Sequence, residues 1–112
     1  MNSELLIFMK KIEAIVQAGT KDAVIAAIKK VGVGGVTVHQ VQGQGAQDPP
    51  LVGQYFSRDM IICVVEDPKL DDVLNAIANV ACTGTKGDGK VFVTHIEDAL
   101  DLCTKKRGTM DI

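Results

Sequence analysis

Met60-Ile61-Ile62-Cys63-Val64-Val65 is an apolar run bounded by acids, followed by a helical pattern, a glycine-rich break and a second run, Val91-Phe92-Val93-Thr94-His95. The same order stands earlier in the chain. Ile12-Glu13-Ala14-Ile15-Val16 precedes a helical pattern, a glycine break and Val36-Thr37-Val38-His39-Gln40-Val41. A short run rich in β-branched residues reads as a strand, and apolar residues three to four apart read as a helix. The chain therefore states strand, helix, strand twice.

The first helix has Thr20 as its expected N-cap, apolar Val24, Ala27, Ile28 and Val31, and a stop at Gly32. The second has Asp67 as its expected N-cap and Pro68 at its first position, with Leu70, Val73, Leu74, Ile77 and Val80-Ala81 on the buried side. Both read as amphipathic crossovers covering a sheet. Two such halves give an α+β, ferredoxin-like split βαβ fold (βαββαβ), a four-stranded antiparallel sheet with two helices on one face. The other face is left uncovered, and a chain of 112 residues has no further helices to cover it. Self-association into a closed cyclic oligomer is the expected remedy.

Bulk composition suits one domain with a single core, since 46% of the residues are hydrophobic. The net charge of −2 offers no basic stripe for a nucleic-acid backbone, so nucleic acid is excluded as a partner. Residues 1–9 hold only a short apolar run before Lys10-Lys11, which fits neither a secretion signal nor a membrane span and gives a cytoplasmic expectation. Cys63, Cys82 and Cys103 lack the spacing of a metal site or disulfide framework, and Cys63 reads as a core residue.

Three features remain. The connection 43–59 is long, lacks a clean period and presents Leu51, Tyr55, Phe56 and Arg58, which favours a partner-binding loop over one packed on its own subunit. Thr83-Gly84-Thr85-Lys86-Gly87-Asp88-Gly89-Lys90 is either a phosphate cradle of backbone donors with a lysine or a plain glycine link from helix to strand. It is not a P-loop, because Val91 stands where Ser or Thr is needed and a strand follows instead of a helix. Lys105-Lys106-Arg107 is a basic cluster on a tail that is solvated or closes over an anion. His39 and His95 lack partners at metal-ligand spacing, no nucleophile motif occurs, and Asp71-Asp72 and Glu97-Asp98 read as solvated acids at helix starts. No catalytic or metal-binding residues are assigned.

Taken together, Lys10-Lys11-Ile12-Glu13-Ala14-Ile15-Val16, Gly43-x-Gly45-x-Gln47 and Thr83-Gly84-x-x-Gly87-Asp88-Gly89-Lys90-Val91-Phe92-Val93 resemble the PII signal-transduction family. The resemblance runs from Met9 to about Thr104, which makes residues 1–8 an extension and 9–112 the PII-like domain with a tail at 101–112. It implies a non-enzymatic homotrimer that binds adenine nucleotides between subunits and regulates a membrane transporter or metabolic enzyme through a mobile T-loop, here 43–59. Carried over by residue, it implies that Gly87, Asp88, Gly89 and Lys90 form the nucleotide turn, with Lys90 on the phosphates. Ile15, Gly43, Gly45 and Val64 would line the cleft, Val36 and Thr37 the adenine end, and Gln47 the magnesium and 2-oxoglutarate position.

Departures from the family pattern redirect the expectation. Ala46, Asp101 and Cys103 stand where the family has arginines, which removes cations that would pair with a triphosphate. ADP or AMP is expected to bind at least as well as ATP. The loop is short and lacks the family's uridylylated-tyrosine pattern, and Ile62 replaces a glutamate. This resembles the carboxysome-associated type, which implies bicarbonate as a second effector, held by backbone donors at the start of the loop. The alternatives are a nitrogen-regulatory PII protein sensing ATP, ADP and 2-oxoglutarate, a slow nucleotide hydrolase using Asp88 or Gln47, and a structural trimer with a vestigial site.

Overall fold

A computed structural model describes residues 8–43, 56–85 and 87–108. Four strands, β1 (Met9–Gln17), β2 (Thr37–Gly43), β3 (Phe56–Glu66) and β4 (Gly89–Ile96), form one sheet in the order β2-β3-β1-β4. Every neighbouring pair is antiparallel. Helices α1 (Lys21–Val31) and α2 (Leu70–Ala81) link β1 to β2 and β3 to β4. This is the ferredoxin-like arrangement expected from the repeated order.

Alternation decides which face is covered. Ile12, Ala14 and Val16 of β1 are buried, as are Ile61, Cys63 and Val65 of β3, and they form one core with Val24 and Ile28 of α1 and Val73 and Ile77 of α2. Because successive side chains point to opposite faces, Lys11, Glu13 and Ile15 and their partners Val64, Ile62 and Met60 lie on the other face, where all are half-buried. Phe92, opposite Glu13 on that face, is 50% exposed. The uncovered face thus mixes apolar Ile15, Met60, Ile62, Val64 and Phe92 with polar Lys11, Glu13, Thr37 and His39.

Local details depart from expectation. Asp67-Pro68-Lys69 forms a short 3-10 turn, and α2 starts at Leu70. Asp67 makes no side-chain cap and instead pairs with Lys10 at 3.0 Å. Thr20 stands at the N-cap of α1 as expected, but its side chain caps nothing, and its carbonyl oxygen accepts from Val24 N at 3.1 Å. Gly32 ends α1 in the left-handed region at φ 107°, donating its N–H to Lys29 O, while Lys29 and Lys30 oppose the helix dipole. Val80 is 41% exposed, against its expected place on the buried side of α2.

Two larger differences concern the ends of the sheet. β3 begins at Phe56, ahead of the expected Met60, because Phe56–Asp59 continue the ladder opposite Gly43–Gln40 despite the polar Ser57, Arg58 and Asp59. No helix starts at Glu97-Asp98. That segment opens a loop in which Leu100 bridges Arg107, and Asp98 accepts from the Arg107 guanidinium. Among the described residues no helix is long and apolar enough to cross a membrane.

Candidate functional site

The turn before β4 is organised by its own carboxylate. Asp88 accepts from the backbone N–H groups of Thr83 at 2.7 Å and Gly84 at 3.0 Å, and from the hydroxyls of Thr83 and Thr85. These bonds, the Thr83 hydroxyl foremost, hold the Asp88 carboxyl below the usual carboxylate range. Two donors that a phosphate cradle would use are therefore already taken by an internal anion. The turn presents its remaining side, Gly87 to Lys90, and Lys90 is exposed.

Gly89 fixes how this turn meets the sheet. A Cβ there would stand 2.1 Å from the carbonyl oxygen of Ile15, and its φ is +127°, so glycine is required on both counts. Gln17 then clamps the turn from β1, donating its side-chain amide N–H to Gly87 O at 2.9 Å. Sequence reasoning missed Gln17, which has no motif of its own and is recognisable only from the strand register. Lys90 lies directly opposite Ile15 on the uncovered face.

The other expected residues are distributed across the sheet. Val64 is on the uncovered face opposite Lys11, and Thr37 is on the same face opposite Ile62. Gly43 closes β2 opposite Phe56. The side chain of Val36, expected at the adenine end, packs against the core, because it falls in the opposite alternation from Thr37. Phe56 and Arg58 belong to β3, with the Arg58 guanidinium 5.7 Å from the Phe56 ring centre. Gly45, Gln47, Leu51 and Tyr55 lie outside the described residues.

The two sets sit on opposite edges. β4 carries Gly89-Lys90 and β2 carries Thr37 and Gly43, separated by β1 and β3. Three strand spacings amount to roughly 14 Å. Within one chain the sheet brings Ile15, Gly87, Asp88, Gly89 and Lys90 together and keeps Thr37 and Gly43 away from them.

The basic tail does not hang free. Arg107 is engaged by Asp98, and Asp101 uses its carboxylate on the N–H groups of Cys103 at 2.9 Å and Thr104 at 2.8 Å. Those bonds, the one from Thr104 first, lower the Asp101 carboxyl. Among the described residues, no cluster of three His, Cys, Asp or Glu side chains forms a metal site.

The family model for nitrogen regulatory protein P-II matches residues 9–106. The chain belongs to the P-II family. The P-II protein of Rhodospirillum rubrum is 36% identical over 108 residues, covering 89% of this chain and 96% of that protein. Nitrogen regulatory protein GlnK2 of Haloferax mediterranei is 35% identical, covering 89% and 88%. Among solved structures, Arabidopsis thaliana PII bound to citrate superposes with a TM-score of 0.79 at 34% identity, covering 90% of this chain and 89% of that one. The Bacillus subtilis GlnK–ATP complex gives 0.79 at 29% identity, covering 90% and 93%. As a P-II protein this chain is a regulatory signalling protein, and the resemblance read from its motifs holds across nearly the whole fold.

Proposed function

We propose that three copies of this P-II protein assemble with their uncovered sheet faces inward and bind an adenine nucleotide in each cleft between subunits. One observation carries this reading: the expected site residues occupy opposite edges of the sheet, so a ligand that touches both sets needs the β4 edge of one subunit beside the β2 edge of the next. The half-buried Ile15, Met60 and Ile62 with exposed Phe92 supply the apolar surface for such an assembly. Gly87, Gly89 and Lys90 hold the phosphates, Asp88 and Gln17 shape the turn, and Ile15, Thr37, Val64 and Gly43 line the cleft. Val36 contributes through its backbone. Gly45 and Gln47 join from the loop, Gln47 holding magnesium where the metal is used.

The phosphate side favours ADP or AMP over ATP. Asp101 and Cys103 offer no cation, Ala46 is neutral, and Arg107 is engaged by Asp98. Nucleotide occupancy biases the loop between β2 and β3, whose Leu51 and Tyr55, with Phe56 and Arg58 at the start of β3, engage a membrane transporter or metabolic enzyme in the cytoplasm. Bicarbonate, held at the start of that loop, is the second effector. The hydrolase alternative is disfavoured because the oxygens of Asp88 are committed to Thr83, Gly84 and Thr85.

Titration calorimetry tests the reading. ADP binds at least as tightly as ATP with magnesium, and a more than tenfold preference for ATP would falsify the assignment of the phosphate side. An ADP affinity unchanged by bicarbonate removes bicarbonate as effector.

A further inference from the structure

Asp59 stands where the pattern of its strand calls for an apolar residue. Along β3 every second side chain enters the core, and the buried column runs Asp59, Ile61, Cys63, Val65. Asp59 lies between Val16 of β1 and Gln40 of β2 and is 5% exposed, the one buried polar side chain among the described residues. Among those residues its carboxyl group makes no hydrogen bond and no ion pair. A polar group taken this far from water without a partner costs free energy.

That cost falls on a weak part of the sheet. β2 is an edge strand, paired on one side only, and its last four residues, Gln40–Gly43, are held to Phe56–Asp59. Val36 and Val38 pack against the core just before them, whereas none of Gln40, Val41, Gln42 and Gly43 belongs to it. Gln40 and Gln42 are exposed, and Val41 is only half-buried. A strand end with few apolar contacts opens locally at low free energy. β3 is fastened separately, because Asp59 pairs with Val16 and Arg58 with Gln17 on its other side. Detaching Gln40–Gly43 therefore opens the Gln40 side of Asp59 to water and leaves the ladder between β1 and β3 in place.

We propose that Asp59 makes the end of β2 a releasable latch: Gln40–Gly43 pair with β3 in one state and leave it in the other, and the released state returns the Asp59 carboxyl group to water. The two strands are joined by residues 44–55, so release adds Gln40–Gly43 to the near end of that connection. The loop then has two lengths, set within a single subunit, and a partner that grips either one shifts the balance between them. This consequence rests on the reading of the loop as the partner-binding element; the release itself does not.

Amide hydrogen exchange of the full chain, without added nucleotide, tests the latch. In Asp59→Val and in Asp59→Leu the amides of Gln40–Gly43 exchange about tenfold more slowly than in wild type, and the urea midpoint rises. Ser57→Val places a β-branched residue at an exposed position of the same ladder and changes those rates by less than about twofold. An equal slowing by Ser57→Val assigns the effect to strand propensity and overturns the proposal. Exchange unchanged in both Asp59 variants overturns it as well. So does a lowered midpoint in both, which shows that the carboxyl group is needed where it stands.

Discussion

Gly89 passes so close to Ile15 that a methyl group on it would stand 2.1 Å from the Ile15 carbonyl oxygen. The obstacle is backbone within a strand, which cannot step aside as a flexible side chain would. Gly89→Ala also meets the penalty of a φ of +127°. The variant should lose about 3 kcal/mol or more of stability. Urea denaturation measures it, and a midpoint equal to wild type would contradict the close approach.

Asp88 contributes as an anion. Its carboxyl is held below the ordinary range by the Thr83 hydroxyl and the backbone donors of Thr83 and Gly84. A depressed folded-state pKa means the contribution is fully present above the ordinary carboxylate value of about 3.9 and is lost as pH falls through the lower folded value. Asp88→Asn presents amide N–H groups to N–H donors, so it should be less stable than wild type at neutral pH and converge on it in acid. Denaturation of both proteins from about pH 7 down to 3 checks this, and a difference independent of pH would refute it.

Lys90 is exposed on the uncovered face and lies outside the core cluster. Lys90→Ala should leave the urea midpoint within about 0.5 kcal/mol of wild type. It should weaken ADP binding at least tenfold, about 1.4 kcal/mol, because the turn's other donors are partly committed to Asp88. Calorimetric titration reads the effect, and unchanged affinity would count against the nucleotide site as assigned.

Cys63 is sealed in the core between the sheet and the helices, and burial pushes its thiol up to about 11. Since the thiolate is the reacting form, Cys63 should resist iodoacetamide at pH 8 and label only after unfolding. Peptide mass spectrometry separates it from Cys82 and Cys103. Rapid labelling of Cys63 in the native protein would show the core to be more open than described.

The amino-acid sequence by itself determined the strand–helix–strand repeat, the covered face and the glycine turn. Those are carried by residue type and period: Ile12, Ala14 and Val16 alternate whatever surrounds them, and Gly32 stops α1 locally. The motif at 83–90 was also legible, as was its place at the start of β4. Tertiary structure decided what these parts do to one another. Gln17 reaches Gly87 across 70 positions of chain, and Asp98 captures Arg107 where a helix start was expected, because side-chain partners are set by register and loop closure. The same cause moved Asp67 from cap to ion pair. Periodicity shows which way a residue faces, and only the folded sheet shows which edge it stands on, which is why the separation of Thr37 and Gly43 on β2 from Gly89 and Lys90 on β4 came from the structure alone.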